Sequence, residues 1–230
     1  MRSLQQDRKG NMRAEYRNDL TMDPSGFVLL ADYVPHIVQE IRYYSTYNFI
    51  GERIDGYEEP CALLTIEAAR ALKAASAELI VQGYRLKVFD AYRPVCAVRR
   101  FVLWGIEDQD IRMKPYFYPE LEKQALFAEG YLAKQSSHSR GSAVDLTLLD
   151  MKTGKELDMG SPFYLFGPIS RPDFRGITDQ QYENRMILRR TMLRNGFQPI
   201  GCEWWHFSLK DEPYPDTYFA FPVSSGYLKR

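Results

Sequence analysis

Several features that define whole classes of proteins are missing from this sequence. The three cysteines, Cys61, Cys96 and Cys202, are odd in number and form no C-x-x-C pair, which argues against a disulfide framework and a thiolate zinc site. Thirty basic residues balance thirty acidic ones, so no net charge attracts the chain to nucleic acid or to an anionic membrane. No transmembrane-length apolar run and no signal-peptide pattern occur. We therefore expect a soluble protein with a small substrate, in the cytoplasm, or in the periplasm if a leader was removed.

The sequence does contain enough apolar residues for a substantial core. Hydrophobic residues make up 45% of the chain and aromatic residues 14%. Without internal repeats or a long linker, we expect one domain at residues 25–230, preceded by a loosely ordered, polar lead-in at residues 1–24. Strands and helices alternate without obvious βαβ units. The predicted fold class is therefore α+β, with a mainly antiparallel central sheet flanked by helices.

Local signals place the predicted elements along the chain. Thr65 as N-cap and Gly83 as C′ residue bound one helix. Thr178 and Gln181 form a capping box at the start of another helix, which ends near Asn195. Alternation of apolar residues and β-forming composition predict the strands. Pro94 in a first helical turn and Gly130 as a stop signal mark the two further helices. The strands are expected at 84–89, 143–148 and 203–209, and the further helices at 94–105 and 119–128.

Two of the three histidines lie near acidic residues with which they could form a metal site. The first of these is His138. It precedes Asp145 by seven residues, and Gly141 between them would let the backbone turn so that both side chains converge. Asp is disfavoured inside a strand, so Asp145 requires a compensating ion pair or a metal. The alternative to a metal is a pairing of Asp145 with Arg140 or Arg99.

The second is His206, which follows Glu203 by three residues. Residues three apart in an extended strand point to opposite faces, so both can approach one metal only if the segment bends near Gly201 or Glu203 lies at the strand end. Otherwise His206 is packed between aromatic neighbours. The third histidine, His36, has no acidic or histidine partner nearby and is expected to have no catalytic role.

Together these residues predict a catalytic metal centre. Two neutral imidazoles and one carboxylate form a common three-ligand zinc set that leaves one position open. His138, Asp145 and His206 are therefore predicted to hold one Zn²⁺ per chain. Glu203, which is not a ligand, would act as general base. Arg93, at the junction between a strand and a helix, would stabilise an oxyanion, unless it only pairs with a neighbouring acid or caps carbonyls.

The chain contains the motifs SSHSRGSAVD and GCEWWH, which in this order resemble those of the zinc D-peptidases of the VanX and VanY type, relatives of the hedgehog signalling domain. The resemblance is strongest to the VanX-type D-alanyl-D-alanine dipeptidases and covers about residues 40–223, including FDAYRPVCAV and CEWWHFSLKDEPYPDTYFAFPV. It implies a hedgehog/D,D-peptidase-like fold. It also implies zinc ligands at His138, Asp145 and His206, the base at Glu203 and transition-state stabilisation by Arg93.

The resemblance also implies which residues bind the substrate. Ser136 occupies the family's serine two residues before the first ligand, and Ser136 and Tyr131 are expected to bind substrate. One position departs from the family: Tyr164, in MGSPFY, stands where an Asp that binds the substrate ammonium is expected. A phenol can offer a π face to a cation, worth ~0.5–2 kcal/mol, but no negative charge. Either another acid such as Asp173 takes over, or the substrate is not a plain D-Ala-D-Ala dipeptide.

We therefore expect hydrolysis of D-Ala-D-Ala or a closely related dipeptide, with a small D-peptide as the partner and with no nucleic acid or membrane partner. Two alternatives stay open. The first is a zinc D,D-carboxypeptidase that trims longer peptidoglycan stem peptides, whose substrates carry no ammonium near the scissile bond. The second is a non-catalytic, zinc-stabilised binding module. The sequence contains no signal for the oligomeric state.

Overall fold

The computed structural model describes residues 20–107 and 109–229. Residues 1–19 of the predicted lead-in lie outside the described residues. The described remainder of that segment has regular structure, because Leu20–Thr21 forms a strand that pairs in parallel with Tyr218–Phe219. The N-terminal side of the described chain is thereby attached to a segment close to its C-terminal side.

A five-stranded sheet forms the centre of the fold. The described strands are β1 Leu20–Thr21, β2 Phe27–Leu29, β3 Val38–Gln39, β4 Leu63–Thr65, β5 Tyr84–Asp90, β6 Ala143–Asp150, β7 Phe197–Pro199, β8 His206–Leu209 and β9 Tyr218–Phe219. The central sheet has the order β3-β5-β6-β8-β7. Three of its four pairings are antiparallel, and only β3 with β5 is parallel. The predicted α+β class with a mainly antiparallel central sheet is confirmed.

The helices begin and end largely where the capping signals predict. They are α1 Leu30–Tyr33, α2 Ile66–Val81, α3 Val95–Gly105, α4 Lys114–Phe117, α5 Lys123–Ala128 and α6 Asp179–Arg194, with short 3₁₀ helices at Arg42–Tyr44, Ser137–Arg140, Pro168–Ser170 and Ser225–Lys229. The Thr65 hydroxyl accepts a hydrogen bond from the Ala68 amide, and Gly83 has φ +88° after α2. Thr178 and Gln181 form both bonds of the predicted capping box of α6. The α2 helix packs against β5 and α6.

Two predicted elements are shorter in the structure than expected. The helix expected at 119–128 begins only at Lys123, whose buried ammonium donates to the carbonyl of Trp104 at 3.1 Å, while Glu122 before it is extended. The strand expected at 203–209 begins only at His206. Trp204 lies in a turn, and its amide donates to the Ser170 carbonyl at 2.9 Å, away from the sheet.

The central strand β6 is buried on both faces. Every residue from Ala143 to Leu149 is buried, although successive side chains point to opposite sides of the sheet. This burial makes Asp145, within that run, an unfavourable position for a carboxylate without compensating partners. Within the described part of the chain, no helix has both the length and the apolar character that a membrane span requires.

Candidate metal centre and active site

The strand register brings three polar side chains to the same level of the sheet. Asp145 on β6 lies directly opposite His206 on β8 and is paired on its other side with Asp90 on β5. Residues directly opposite each other in an antiparallel pair have Cβ atoms about 4.5–5.5 Å apart. The pairing of distant segments therefore places the predicted aspartate and histidine within contact distance.

The third candidate metal ligand, His138, reaches this level from the turn that precedes β6. His138 belongs to the 3₁₀ helix Ser137–Arg140, and Gly141 follows with φ +77°. A side chain at Gly141 is excluded by its conformation and by space, because a Cβ there would lie 2.2 Å from Cζ of Phe27. This turn directs His138 back over Asp145, as the position of the glycine in the sequence predicts.

The donor atoms of these three residues are arranged as metal ligands would be. Nε2 of His138 lies 3.1 Å from Nδ1 of His206 and 3.3 Å from Oδ1 of Asp145. Nδ1 of His206 lies 3.0 Å from the same Asp145 oxygen. Tetrahedral zinc with bonds of about 2.0–2.1 Å places its ligand atoms roughly 3.3 Å apart. All three residues are buried, and their geometry fits one zinc ion.

In each imidazole, the ring nitrogen that points away from the centre has a polar partner. The other nitrogen is therefore the one that can bind a metal. Nδ1 of His138 donates to the Ala91 carbonyl at 2.7 Å, so Nε2 carries the free lone pair. Nε2 of His206 lies 3.2 Å from the Ser208 hydroxyl and 3.3 Å from that of Ser137, and both hydroxyls can accept its proton. Burial lowers the pKa of His206, which favours the neutral form that a metal requires.

The charges around the centre favour a cation. Three buried carboxyl groups, those of Asp90, Asp145 and Glu203, lie around the buried guanidinium of Arg93. Burial and then the Asp145 charge raise the pKa of Glu203 well above its ordinary value. Burial alone would raise the pKa of Asp145, but the imidazoles of His138 and then His206 outweigh it and lower that pKa. A divalent cation would offset the negative charge of the carboxylates among these groups.

Arg93 is held in place by an acid and still faces the centre. Its guanidinium donates to Asp90 from Nε at 2.9 Å, and Nη2 lies 2.8 Å from the same oxygen. Tyr57 donates to the other Asp90 oxygen at 2.6 Å. Nη2 of Arg93 also lies 3.6 Å from Oδ2 of Asp145. The pairing with Asp90 therefore positions Arg93 beside the candidate ligands and does not remove it from the site.

A cavity of about 150 Å³ opens onto the centre. This is small beside the roughly 300–1,000 Å³ of pockets for drug-sized ligands, so it suits a small substrate. Glu203 lines it from the turn before β8, which corresponds to the predicted arrangement with this residue at the strand end. Ser136 and Tyr131 line it as well, and the Ser136 hydroxyl also accepts from the His138 amide at 3.3 Å. The structure thus brings all seven predicted site residues around one cavity.

Arg140, His36 and Asp173 do not belong to the candidate centre. Arg140 pairs with Glu212 at 2.7 Å and is not the ion-pair partner of Asp145. His36 is exposed and lies outside the group that could hold a metal. Asp173, considered as a replacement acid, is not among the residues that line the cavity.

Three residues of the site carry no signal that identifies them in the sequence. Tyr43 and Phe101 line the cavity, and the Arg93 guanidinium lies 4.9 Å and 5.2 Å from their ring centroids. Tyr57 binds Asp90 from a loop 33 residues earlier. Aromatic residues at such positions resemble ordinary core residues in a single sequence, so only their contacts reveal them.

The chain is similar to a known protein family, to bacterial enzymes and to solved structures. A family model described as D-ala-D-ala dipeptidase (Peptidase_M15) matches residues 23–224. A D-alanyl-D-alanine dipeptidase of Enterococcus faecalis is 41% identical over 200 residues, which cover 87% of this chain and 99% of that protein. One of Enterococcus faecium is 39% identical over 198 residues, covering 86% and 98%. Among solved structures, a Zn(II) complex of a D,D-pentapeptidase VanY variant from a VanB-type cassette is 14% identical, with a TM-score of 0.39 and coverage of 68% and 78%.

Proposed function

The chain belongs to the family of D-ala-D-ala dipeptidases, and from that premise we propose that it hydrolyses the peptide bond of D-Ala-D-Ala or of a closely related dipeptide. The observation that carries this proposal is the mutual 3.0–3.3 Å spacing of the donor atoms of His138, Asp145 and His206. Glu203 and Arg93 line the same cavity. One zinc ion per chain, bound by the three ligands, would lower the pKa of a water molecule toward ~7 and polarise the scissile carbonyl.

Glu203 is proposed as the group that moves protons. Its carboxylate accepts the proton of the attacking water and passes it to the nitrogen of the leaving amine. Burial raises the pKa of Glu203, so its carboxylate is a stronger base than that of an exposed glutamate, which suits a group that accepts a proton from water. Since Glu203 is not one of the three clustered ligand residues, its carboxylate stays free for this task.

Arg93 is proposed to stabilise the negative charge that develops on the carbonyl oxygen. A fixed guanidinium in a buried site interacts with that charge without having to reorganise. The two nitrogens within hydrogen-bond distance of Asp90, which is itself bound by Tyr57, hold the guanidinium still. Ser136 and Tyr131, which line the cavity, are proposed to hold the dipeptide.

The direct test is a panel of free and N-acylated D- and L-dipeptides offered to the zinc-loaded protein, with amine release as the readout. We expect release of D-alanine from D-Ala-D-Ala and little from L-Ala-L-Ala. Preference for N-acylated peptides would favour a carboxypeptidase acting on longer stems. Stoichiometric zinc without hydrolysis of any D-peptide would overturn the proposal in favour of a non-catalytic module.

Substitution Arg93→Lys should lower kcat/KM for D-Ala-D-Ala by about 100-fold at unchanged zinc content. The planar guanidinium binds Asp90 through two nitrogens and still has a further N–H group for the substrate. A lysine has a single ammonium group and cannot serve both partners in this way. The matched control is Arg100→Lys, because Arg100 is also paired with an acid, Glu52, and does not line the cavity. An Arg93→Lys enzyme within threefold of wild type would remove Arg93 from the mechanism.

A further inference from the structure

The proposed base and one proposed metal ligand reach the same cavity although their spacing in the sequence does not favour it. Glu203 and His206 are three residues apart, and residues three apart in an extended strand point to opposite faces of a sheet. Both side chains nevertheless line the cavity of the candidate centre. The backbone therefore has to leave the strand geometry between these two residues.

The chain leaves the sheet at Trp204. The carbonyl of Trp205 still accepts a hydrogen bond from an amide of β6 at 3.1 Å, as a strand residue does. The amide of Trp204 donates instead to the Ser170 carbonyl at 2.9 Å, and its indole Nε1 donates to the Ser161 hydroxyl at 2.9 Å. Both N–H groups of Trp204 thus bind the segment of residues 159–171, which lies outside the central sheet.

The segment of residues 159–171 is itself held by a buried guanidinium. Arg185 on α6 is 2% exposed, and its Nη2 lies 3.3 Å from the Ser161 hydroxyl oxygen. Its guanidinium also donates at 2.5–3.0 Å to three backbone carbonyls of the segment, those of Met159, Ile169 and Arg171. Burial lowers the pKa of Arg185 to about 10, so the group is still charged at neutral pH. Hydrogen bonds from a charged donor are among the stronger ones in proteins.

These contacts lie outside the cavity but lead directly to the proposed base. Ser161, Trp204 and Arg185 are buried and do not line the cavity of the candidate centre, so they do not contact a substrate there. Trp204 is the chain neighbour of Glu203, whose side chain does line it. A misplacement of about 1 Å in a reacting group can cost roughly 10²-fold in rate. Fixing Trp204 therefore matters for the position of the Glu203 carboxylate.

We propose that the Ser161 hydroxyl and the Arg185 guanidinium position the proposed base: through the two N–H groups of Trp204, they hold the bend that turns Glu203 toward the cavity. The inference rests on the proposed function, because it takes Glu203 as the base. Ser161, Trp204 and Arg185 are positioning residues. They act on turnover through Glu203, and zinc binding does not depend on them.

The first test removes the hydroxyl that binds the Trp204 indole. We expect Ser161→Ala to lower kcat for D-Ala-D-Ala about 10- to 100-fold, with KM and zinc content within about twofold of wild type. Ser161→Thr keeps the hydroxyl and should restore kcat, because Ser161 borders a second cavity, of about 340 Å³, with room for a methyl group. A Ser161→Ala enzyme with wild-type kcat would overturn the inference.

The matched control for this variant is Ser142→Ala. Its hydroxyl is also buried and lies 2.9 Å from that of Thr65, but Ser142 does not line the cavity. Both alanine variants lose a buried hydrogen bond, and both should therefore lower Tm. Only Ser161→Ala should lower kcat by more than about twofold. An equal loss of kcat in the two variants would mean that the effect is one of stability alone, and it would overturn the inference.

A second test asks whether Ser161 acts through Glu203. In Glu203→Gln the proposed base is already absent, so adding Ser161→Ala should lower the residual kcat by less than about twofold. Residues that act through one another are not additive in such a double-mutant cycle. A further loss as large as in the wild-type background would show that Ser161 acts independently of Glu203, which contradicts the inference.

Crystal structures of the zinc-loaded protein separate this inference from the proposed function. In Ser161→Ala we expect the Glu203 carboxylate to move by about 1 Å relative to the His206 imidazole, with the three ligand side chains unmoved. That displacement, in a wild-type protein that hydrolyses no dipeptide, would refute the proposed function and support the positioning role. A carboxylate that stays in place, in a protein that does hydrolyse D-Ala-D-Ala, would refute the positioning role and leave the proposed function intact.

Discussion

Replacing Glu203 with glutamine is expected to lower kcat for D-Ala-D-Ala by about 10²–10⁴-fold while the protein still binds one zinc per chain. Glutamine has nearly the same shape as glutamate, but its amide cannot accept the proton of the attacking water. The ligand residues His138, Asp145 and His206 are untouched, so metal content should not change. Steady-state kinetics and metal analysis of the same preparation measure both quantities.

The matched control for this variant is Glu212→Gln. Glu212 is also largely buried, with 14% of its side chain exposed, but it pairs with Arg140 and does not line the cavity. Its replacement should leave kcat within about twofold of wild type. Unchanged turnover in Glu203→Gln would exclude Glu203 as the base, and loss of zinc in that variant would mean that Glu203 acts as a ligand.

Replacing His138 with alanine is expected to abolish both zinc binding and turnover. The centre depends on three donor atoms, and with His138 removed only the contact of 3.0 Å between His206 and Asp145 is left. Two ligands do not complete the usual zinc set of three residues with one open position. We expect dialysed His138→Ala to carry almost no zinc by elemental analysis, and Asp145→Ala to behave in the same way. Full zinc occupancy in either variant would refute the ligand assignment.

The control is His36→Asn, which replaces an exposed histidine at φ +64° with a residue that tolerates this conformation. It should keep both zinc and activity.

A second readout, the melting temperature, does not depend on turnover. A metal that binds only the folded protein stabilises it by about 2.7 kcal/mol at a concentration 100 times its Kd. Zinc should therefore raise Tm in wild type and in His36→Asn, and leave Tm unchanged in His138→Ala.

Much of the fold follows from local features of the sequence. The Thr178 and Gln181 capping box begins α6, and Thr65 caps α2, because these contacts join residues three positions apart. The elements predicted too long, at 119–128 and 203–209, begin only at Lys123 and at His206. The amide of Trp204 donates to Ser170, a residue 34 positions earlier, and no local pattern contains that contact.

The chemistry of the centre could also be inferred in part. Because only three histidines occur, and because Asp145 interrupts an apolar strand, few ligand sets were available. Local sequence patterns do not determine whether the side chains of these residues lie close together in space. The pairing of Asp145 with His206 depends on the register between β6 and β8, and a slip of one residue would turn one side chain to the opposite face.

The sequence by itself determined the residue types of the centre, the helix caps and the α+β pattern, because these depend on composition and on neighbours within a few positions. Only the tertiary structure decided that Tyr57 and Asp90 hold Arg93 beside the candidate metal ligands. The physical reason is that burial, charge and hydrogen bonding at this site come from segments far apart in the chain. Their effects exist only once the strands have paired and water has been excluded between them.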